Sequence, residues 1–260
     1  MHDYPAGRFA VWSTAWLTGR TSYDQALDAV TGDGAGSGGR APGTAHRVVG
    51  MPGVTDAAAG DAVPLGWALS ALLSRGERRL RLVLPAPGDV RDLPAVPGLV
   101  SLALESGQAA VGSTVALVPE QLGTEMVSWT AFDLTGVAPP PPPVEGTLRA
   151  ASGALDLAVA GSARTLAELD LARWNPEVPA LLAGLARTTS APGLPPDHEP
   201  LALSVLGRAS RLSRVLDLAM ADAPGAAVTH AQARARDEAL RPLAQALREA
   251  TTAAYNAVPR

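Results

Sequence analysis

An unbroken run of five prolines, Pro139–Pro143, divides the chain into two parts of different character. Proline fixes its own φ angle and lacks a backbone N–H, so such a run adopts the polyproline II conformation. At about 3.1 Å per residue it spans roughly 15 Å. The run therefore predicts a linker at 139–143 between one domain at 1–138 and another at 144–260.

Before the prolines, short apolar runs alternate with helical patterns. The runs predict strands at 47–51, 80–84, 114–118 and 125–134, and helices at 64–74 and 98–108 lie between them. Strands that alternate with helices are typical of a parallel sheet. We therefore predict an α/β domain with a small, mostly parallel sheet of about four strands, the last of them the candidate for an antiparallel edge.

Two helices are predicted ahead of this alternation. Phe9, Trp12 and Trp16 recur at helical spacing and indicate a helix at 8–18 that packs its aromatic face on the sheet. A second helix is predicted at 22–31, capped by Thr21 with Asp24 and ended by Gly32. The glycine-rich residues 32–44 contain a G-x-G-x-x-G match, but no strand precedes it, so it predicts a flexible loop.

After the prolines the pattern is helical alone, which predicts an all-α bundle of four or five helices. The first helix begins near Leu148 and ends at Gly161. A second is capped by Asn175 and carries Leu181, Leu182 and Leu185. Asp197 caps a third, and a last segment at 228–256 contains Pro242, which is expected to kink or restart it.

Composition excludes several chemistries. The chain has no Cys, and all 21 cationic side chains are Arg, so thiol, disulfide and lysine chemistry are absent. The four histidines form no metal-binding spacing, and no G-x-S-x-G elbow occurs. We therefore predict neither a metal nor a cofactor. A net charge of −4, with 9 Arg against 13 acidic residues in 1–143, disfavours nucleic-acid binding.

Nothing in the sequence predicts a membrane segment. The longest stretch without a charged side chain is Ser106–Pro119, 14 residues, whereas a spanning helix needs about 20 apolar residues. The first residues show no basic and apolar leader pattern. We therefore expect a soluble, cytoplasmic protein.

Two groups of charged residues are candidates for a site. The first group lies at the amino end of the second predicted strand and consists of Arg75, Arg78, Arg79 and Arg81. Ligands of α/β sheets bind at the carboxyl ends of the strands, so we interpret this group as an exposed face. Asp89, Arg91 and Asp92 follow that strand at its carboxyl end. If the predicted sheet is parallel, Asp56 and Glu120 join them from neighbouring loops, and this set is the predicted ligand site.

The absence of strong catalytic signatures favours a non-enzymatic interaction or binding protein. It would act through protein–protein contact or self-association, with a protein partner or a second copy of the chain. The alternative is a protein or enzyme that binds a small phosphorylated or hydroxylated molecule at the strand carboxyl ends, through the acidic and arginine side chains named above.

Overall fold

The computed structural model of the chain describes residues 4–32, 45–53, 62–123, 126–138, 148–168, 193–220 and 230–257. These residues form two compact units. An α/β unit contains residues 4–138 together with Gly193–Asp197, and a helical unit contains the remainder. The two-domain architecture is thus as expected, whereas the boundaries at 138 and 144 stay a prediction. The proline run lies outside the described residues.

Helix α1 (Pro5–Leu17) begins at a proline, where the missing N–H costs nothing because the first helical N–H groups have no helical partner. Its Phe9 is fully buried and lies 5.0 Å from Trp129, ring centre to ring centre. The helix therefore packs on the sheet through Phe9 and begins three residues earlier than predicted. The other two members of the predicted aromatic face do not lie on the sheet: Trp12 binds the Gly193 carbonyl and Trp16 contacts Tyr23.

Helix α2 (Tyr23–Thr31) ends at Gly32, which adopts φ +82°, as the sequence predicted. The predicted capping pair was wrong. Ser22 caps the helix by accepting from the Gln25 N–H, and the Gln25 side chain accepts from the Ser22 N–H. Thr21 lies one residue too early, and Asp24 falls at the second helical position instead of the third.

The sheet has six strands in the order β2-β1-β6-β5-β4-β3. They are β1 (Ala45–Val49), β2 (Ala62–Pro64), β3 (Arg81–Val83), β4 (Ala109–Val111), β5 (Val115–Leu122) and β6 (Met126–Asp133). Strands β1 and β6 run parallel, and the four other pairings are antiparallel. The sheet is thus mixed and larger than the predicted four strands, and the expectation that it is mostly parallel was wrong.

Two three-residue strands explain the difference. Strand β4 lies between β3 and β5, and a turn at 112–114 reverses the chain into β5. Strand β2 pairs antiparallel with β1. Strand β3 is as short, but it lies in an alternating run of arginine and apolar residues at 79–84. Strands β2 and β4 have no such run around them, so neither was recognisable as a strand. Without β4, the segments at 80–84 and 114–118 read as neighbours joined by a helical crossover.

Helices cover both faces of the sheet. Leu117, Trp129 and Ala131 share the face that receives Phe9 of α1, because residues two apart or directly paired point the same way. Helix α4 (Leu99–Ser106) packs on the opposite face, against Val83, Ala116 and Val118 among others. Helix α3 (Leu65–Ser74) follows β2 directly and buries Leu65, Ala68, Leu69, Ala71 and Leu72.

A short segment from far along the chain completes the α/β unit. The Trp12 Nε1–H donates to the Gly193 carbonyl at 2.6 Å, and the Arg20 guanidinium lies 2.8 Å from an Asp197 carboxylate oxygen. Asp197 was predicted to cap the next helix, but that helix begins at Pro200 and the carboxylate of Asp197 binds Arg20 instead.

The helical unit contains α5 (Leu148–Glu168), α6 (Pro200–Met220) and α7 (His230–Tyr255), and α7 contacts both of the others. Helix α5 does not stop at Gly161 but continues for seven residues, and α7 continues through Pro242. The Ser162 hydroxyl donates to the Ala239 carbonyl and joins α5 to α7. The predicted helix that carries Leu181, Leu182 and Leu185 lies outside the described residues.

Candidate functional site

The loop that follows β3 is held in a defined turn. Ala86 and Asp89 exchange two backbone hydrogen bonds around Pro87-Gly88, and Gly88 adopts φ +84°. A proline followed by a glycine at positive φ is typical of a type II turn. Pro85 before the turn and Leu93 after it are buried, so both ends of the loop are anchored in the core. Rigid ends give the charged side chains between them a defined position.

The charged side chains of this loop pair with one another and with β3. The Arg91 Nε lies 3.2 Å from a carboxylate oxygen of Asp89, with the Arg91 side chain 70% exposed. The Arg81 Nη2 donates to the Asp92 carbonyl at 2.7 Å. Burial lowers the pKa of Arg81, the negative charge of Asp92 raises it, and Arg79 lowers it further. Each acid of the loop thus faces an arginine, and the loop carries little net charge.

The structure brings only part of the predicted site to one edge of the sheet. Glu120 lies inside β5 and is exposed, opposite Ser128 of β6. Strands β3 and β5 run in the same direction with β4 between them, so Glu120 and the loop at 84–92 are at the same edge. Strand β1 runs the opposite way, and its carboxyl end is therefore at the other edge. Asp56, which follows β1, lies outside the described residues.

A buried carboxylate that the sequence did not single out lies elsewhere in the unit. Glu77 is fully buried. Its oxygens accept from the backbone N–H and the hydroxyl of Ser113 at 3.0 and 2.9 Å, and from those of Thr114 at 2.5 and 2.8 Å. Four donors satisfy a carboxylate without a cation beside it. Glu77 therefore fixes the turn between β4 and β5, and Gly112 leaves space for it.

Arg75 extends this buried group to the surface. Its guanidinium donates to the hydroxyl and the carbonyl of Thr114, to the Thr135 hydroxyl, and to an Asp133 oxygen at 2.5 Å. Hydrogen bonds from Thr135 lower the pKa of Asp133, and the charge of Arg75 adds to that effect. Two members of the predicted arginine cluster, Arg75 and Arg81, thus bind neighbouring parts of the α/β unit.

Helix α3 presents a face without charge to the solvent. None of its ten residues is charged, and Trp67 and Leu73 are 55% and 47% exposed. Ser70 and Ser74 are exposed between and beside them. We call this surface, made of Trp67, Ser70, Leu73 and Ser74, the α3 face.

The α3 face is bordered by α2. A side-chain carbon on Gly66 would lie 2.3 Å from the Tyr23 hydroxyl and 3.8 Å from Leu27, so glycine lets α2 approach the start of α3 closely. Tyr23 also contacts Trp16 of α1, with ring centres 5.6 Å apart. Asp24 and Asp28, one turn apart on α2, are exposed. Two exposed acids therefore lie on the helix that contacts the N-terminal end of α3.

These features define a two-domain protein in which an α/β domain with a mixed sheet precedes a helical domain. Residues 6–147 match the family described as Rv1486c-like protein, N-terminal domain, and residues 149–252 match Rv1486c-like protein, C-terminal domain. The chain therefore belongs to the family of Rv1486c-like proteins.

Relatives in mycobacteria are similar over almost their whole length. The uncharacterized protein Rv1486c of Mycobacterium tuberculosis strain H37Rv is 31% identical over 98% of this chain and 96% of its own. The uncharacterized protein ML1804 of Mycobacterium leprae is 27% identical over 98% and 97%. No solved structure matches the chain. No helix in the described part of the chain is long and apolar enough to cross a membrane, and the expected cytoplasmic location stays a prediction.

Proposed function

We propose that the chain is a non-enzymatic interaction protein that binds another protein chain through the α3 face. The observation that carries the proposal is the exposure of Trp67 and Leu73 on a helix without a single charged residue. Tryptophan is enriched among the residues that dominate binding energy at protein interfaces, and charged residues are depleted from interface cores.

The surroundings of the α3 face support a protein partner. Five buried side chains anchor the inner face of α3 in the core, and α2 contacts the helix at Gly66. The outer surface of α3 is therefore preorganised. A preformed surface loses little conformational entropy when a partner binds. Most interfaces have a polar rim, and the exposed acids Asp24 and Asp28 lie on α2, the helix that contacts α3 at Gly66.

A photo-crosslinking amino acid at position 67 tests this proposal in the native cells. We expect adducts between this chain and a protein chain, identified by mass spectrometry. The same amino acid in place of Ser101, which is exposed on α4 of the same unit, is the control and should give few adducts. Equal adduct patterns from both positions would contradict the proposal.

The loop of Asp89, Arg91 and Asp92 supports a second candidate function, the binding of a small phosphorylated or hydroxylated molecule. The specific observation is that Arg81, largely withdrawn from water, lies beneath the loop and binds the Asp92 carbonyl. An anionic group that replaced Asp89 beside Arg91 would find a second arginine near it. Glu120 at the same sheet edge is part of this candidate site. Asp56 is in it only as a sequence-based proposal, and it follows β1, whose carboxyl end is at the other edge.

Thermal unfolding with sugar phosphates, nucleotides or divalent cations separates the two candidates. A ligand at 100 times its dissociation constant stabilises the folded state by about 2.7 kcal/mol. An increase in melting temperature that is lost in Arg91→Ala, but kept in Trp67→Ala, would favour the small molecule. No shift with any of these classes would favour the protein partner.

A further inference from the structure

We infer that the surface of α1 around Trp12 and Arg20 recognises a proline-rich segment that ends in an acidic residue. Residues 193–197, with the sequence Gly-Leu-Pro-Pro-Asp, occupy this surface in the same chain and close it to other chains. The external partner that the surface fits is a protein segment of the same chemistry. The inference goes beyond the proposed function, since it uses no residue of the α3 face.

The end of α1 holds Arg20 in a defined position. Gly19 adopts φ +74°, and the backbone N–H of Arg20 donates to the Ala15 carbonyl at 2.8 Å. A glycine at positive φ with this bond across the helix end is typical of the Schellman motif. The Arg20 Nε–H donates to the Thr18 hydroxyl at 3.0 Å. The guanidinium is therefore oriented by its own helix end where its Nη1 binds the Asp197 carboxylate at 2.8 Å.

The segment at 193–197 makes contacts of the kind by which proline-rich peptides are recognised. The Trp12 indole N–H donates to the Gly193 carbonyl at 2.6 Å, and Pro195 is buried. Leu194 and Pro195 each precede a proline, a position that favours extended backbone. Such segments dock on aromatic side chains because their backbone is extended before binding and loses little conformational entropy.

The spacing of the contacts agrees on both sides. From Trp12 to Thr18, the helix rises about 9 Å. From Gly193 to Pro196, extended backbone spans about 9 Å as well. The contacts also follow the same order along both parts of the chain, with the indole at the start and the arginine at the acidic end. The surface therefore selects a direction as well as a composition.

The contacts are of a kind that another segment can replace. Gly193 is exposed, and the side chains of Arg20 and Asp197 are 28% and 45% exposed. Ion pairs in contact with water are weak and are screened by salt. The segment at 193–197 competes because it is part of the same chain, which gives it an effective concentration on the order of 1 mM. Its release would open the surface to a segment from another protein.

Fluorescence anisotropy of a labelled peptide, Gly-Leu-Pro-Pro-Asp, with the full chain tests the inference. Pro195→Ser with Asp197→Ser removes the buried proline and the acid, and we call this chain the released variant. We expect it to bind the peptide at least about tenfold more tightly than the wild type does. Pro200→Ser with Asp237→Ser makes the same replacements at exposed positions of the helical unit and is the matched control. It should keep the affinity of the wild type.

Two further changes in the released variant identify the contacts. Trp12→Phe keeps an aromatic ring but removes the N–H donor, and peptide binding should weaken about three- to tenfold. Arg20→Asp should abolish binding of this peptide and restore it for Gly-Leu-Pro-Pro-Arg, because the charges of the pair are then reversed. A role of the segment in stability alone would not produce this exchange of preference.

Circular dichroism establishes that the variants are folded, and Asp197→Ser alone, a change at an exposed side chain, replaces the released variant if the latter is not. A folded variant that binds the peptide no better than the wild type overturns the inference. Equal binding of a peptide with the same residues in scrambled order overturns it as well. Either result leaves the crosslinks from position 67, and with them the proposed function, unchanged.

Discussion

The carboxylate of Glu77 and the carboxylates of the loop at 89–92 belong to the same unit and both lie outside its helices and strands, yet their surroundings differ. Glu77 is fully buried and accepts four hydrogen bonds from two consecutive residues. Asp89 is partly exposed beside an arginine that is mostly in water. The same chemical group is therefore a fixed structural part in one place and an accessible, exchangeable charge in the other.

The largest difference should appear when each carboxylate is changed to its amide. Glu77→Gln replaces an acceptor oxygen by an NH2 group that faces N–H and hydroxyl donors. Because these donors are buried, the free energy of unfolding should fall by about 2–4 kcal/mol in chemical denaturation. Glu105→Gln, exposed on α4, is the matched control and should change it by less than about 0.5 kcal/mol. Equal effects would contradict a structural role for Glu77.

Gly112→Ala tests the space around the buried carboxylate. A side-chain carbon at this position would lie 2.7–2.9 Å from the three terminal atoms of Glu77. The carboxylate must then move away from its donors, and we expect a loss of about 1–3 kcal/mol in unfolding free energy. Gly153→Ala, which meets no atom within 4 Å on helix α5, should be neutral or stabilising. A neutral Gly112→Ala would show that Glu77 is not tightly held.

Asp133, at the solvent end of the Arg75 network, should give a smaller effect that depends on pH. Its pKa is lowered in the folded state, so its stabilising contribution is present at neutral pH and is lost as the pH falls below about 4. Because the side chain is 53% exposed, solvent limits the contribution to about 0.5 kcal/mol or less. Asp133→Asn should therefore flatten the decline of melting temperature between pH 5 and pH 2.5. A parallel decline in both proteins would contradict this.

The smallest effect is expected at the exposed loop. Asp89→Asn removes one partner of an ion pair whose arginine is 70% exposed. Exposed pairs often contribute nothing measurable, so we expect a change close to zero in the free energy of unfolding. The melting temperature in 0.5 M salt should be the same for the variant and the wild type. A loss comparable to that of Glu77→Gln would mean that the loop charges are structural and would remove them as a ligand site.

The sequence predicted α2, α3 and α4 to within two residues at each end because local signals mark them. Gly32 ends α2 in the left-handed conformation, and Gly76 follows α3 in the same conformation. Strand pairing depends on partners far apart in sequence, and β2 and β4 lie in no alternating run such as the one that marks β3. The direction in which each strand runs, and therefore the edge of the sheet at which each loop lies, could not be derived from the sequence.

The candidate sites show the same limit. The charged group at 89–92 was visible because a Pro-Gly turn precedes three charged residues. In the sequence Glu77 lies between Gly76 and Arg78 and has the pattern of an ordinary exposed acid. It is buried only because the turn at 112–114, far along the chain, packs against it and donates hydrogen bonds to it. The α3 face was hidden by its own apolar composition, since burial cannot be assigned to one leucine over its neighbour without the tertiary structure. Its one available signal was a ten-residue helix without any charge.

The contacts of Trp12 with Gly193 and of Arg20 with Asp197 make the α/β unit discontinuous along the chain. Synthesis proceeds from the N-terminus. The sheet and its helices therefore leave the ribosome well before Gly193–Asp197, the last five residues of the same unit. The unit can acquire its core early, yet the Trp12 indole and the Arg20 guanidinium gain these partners only after about fifty more residues have been added. Completion of the first domain is thereby linked to translation of the second.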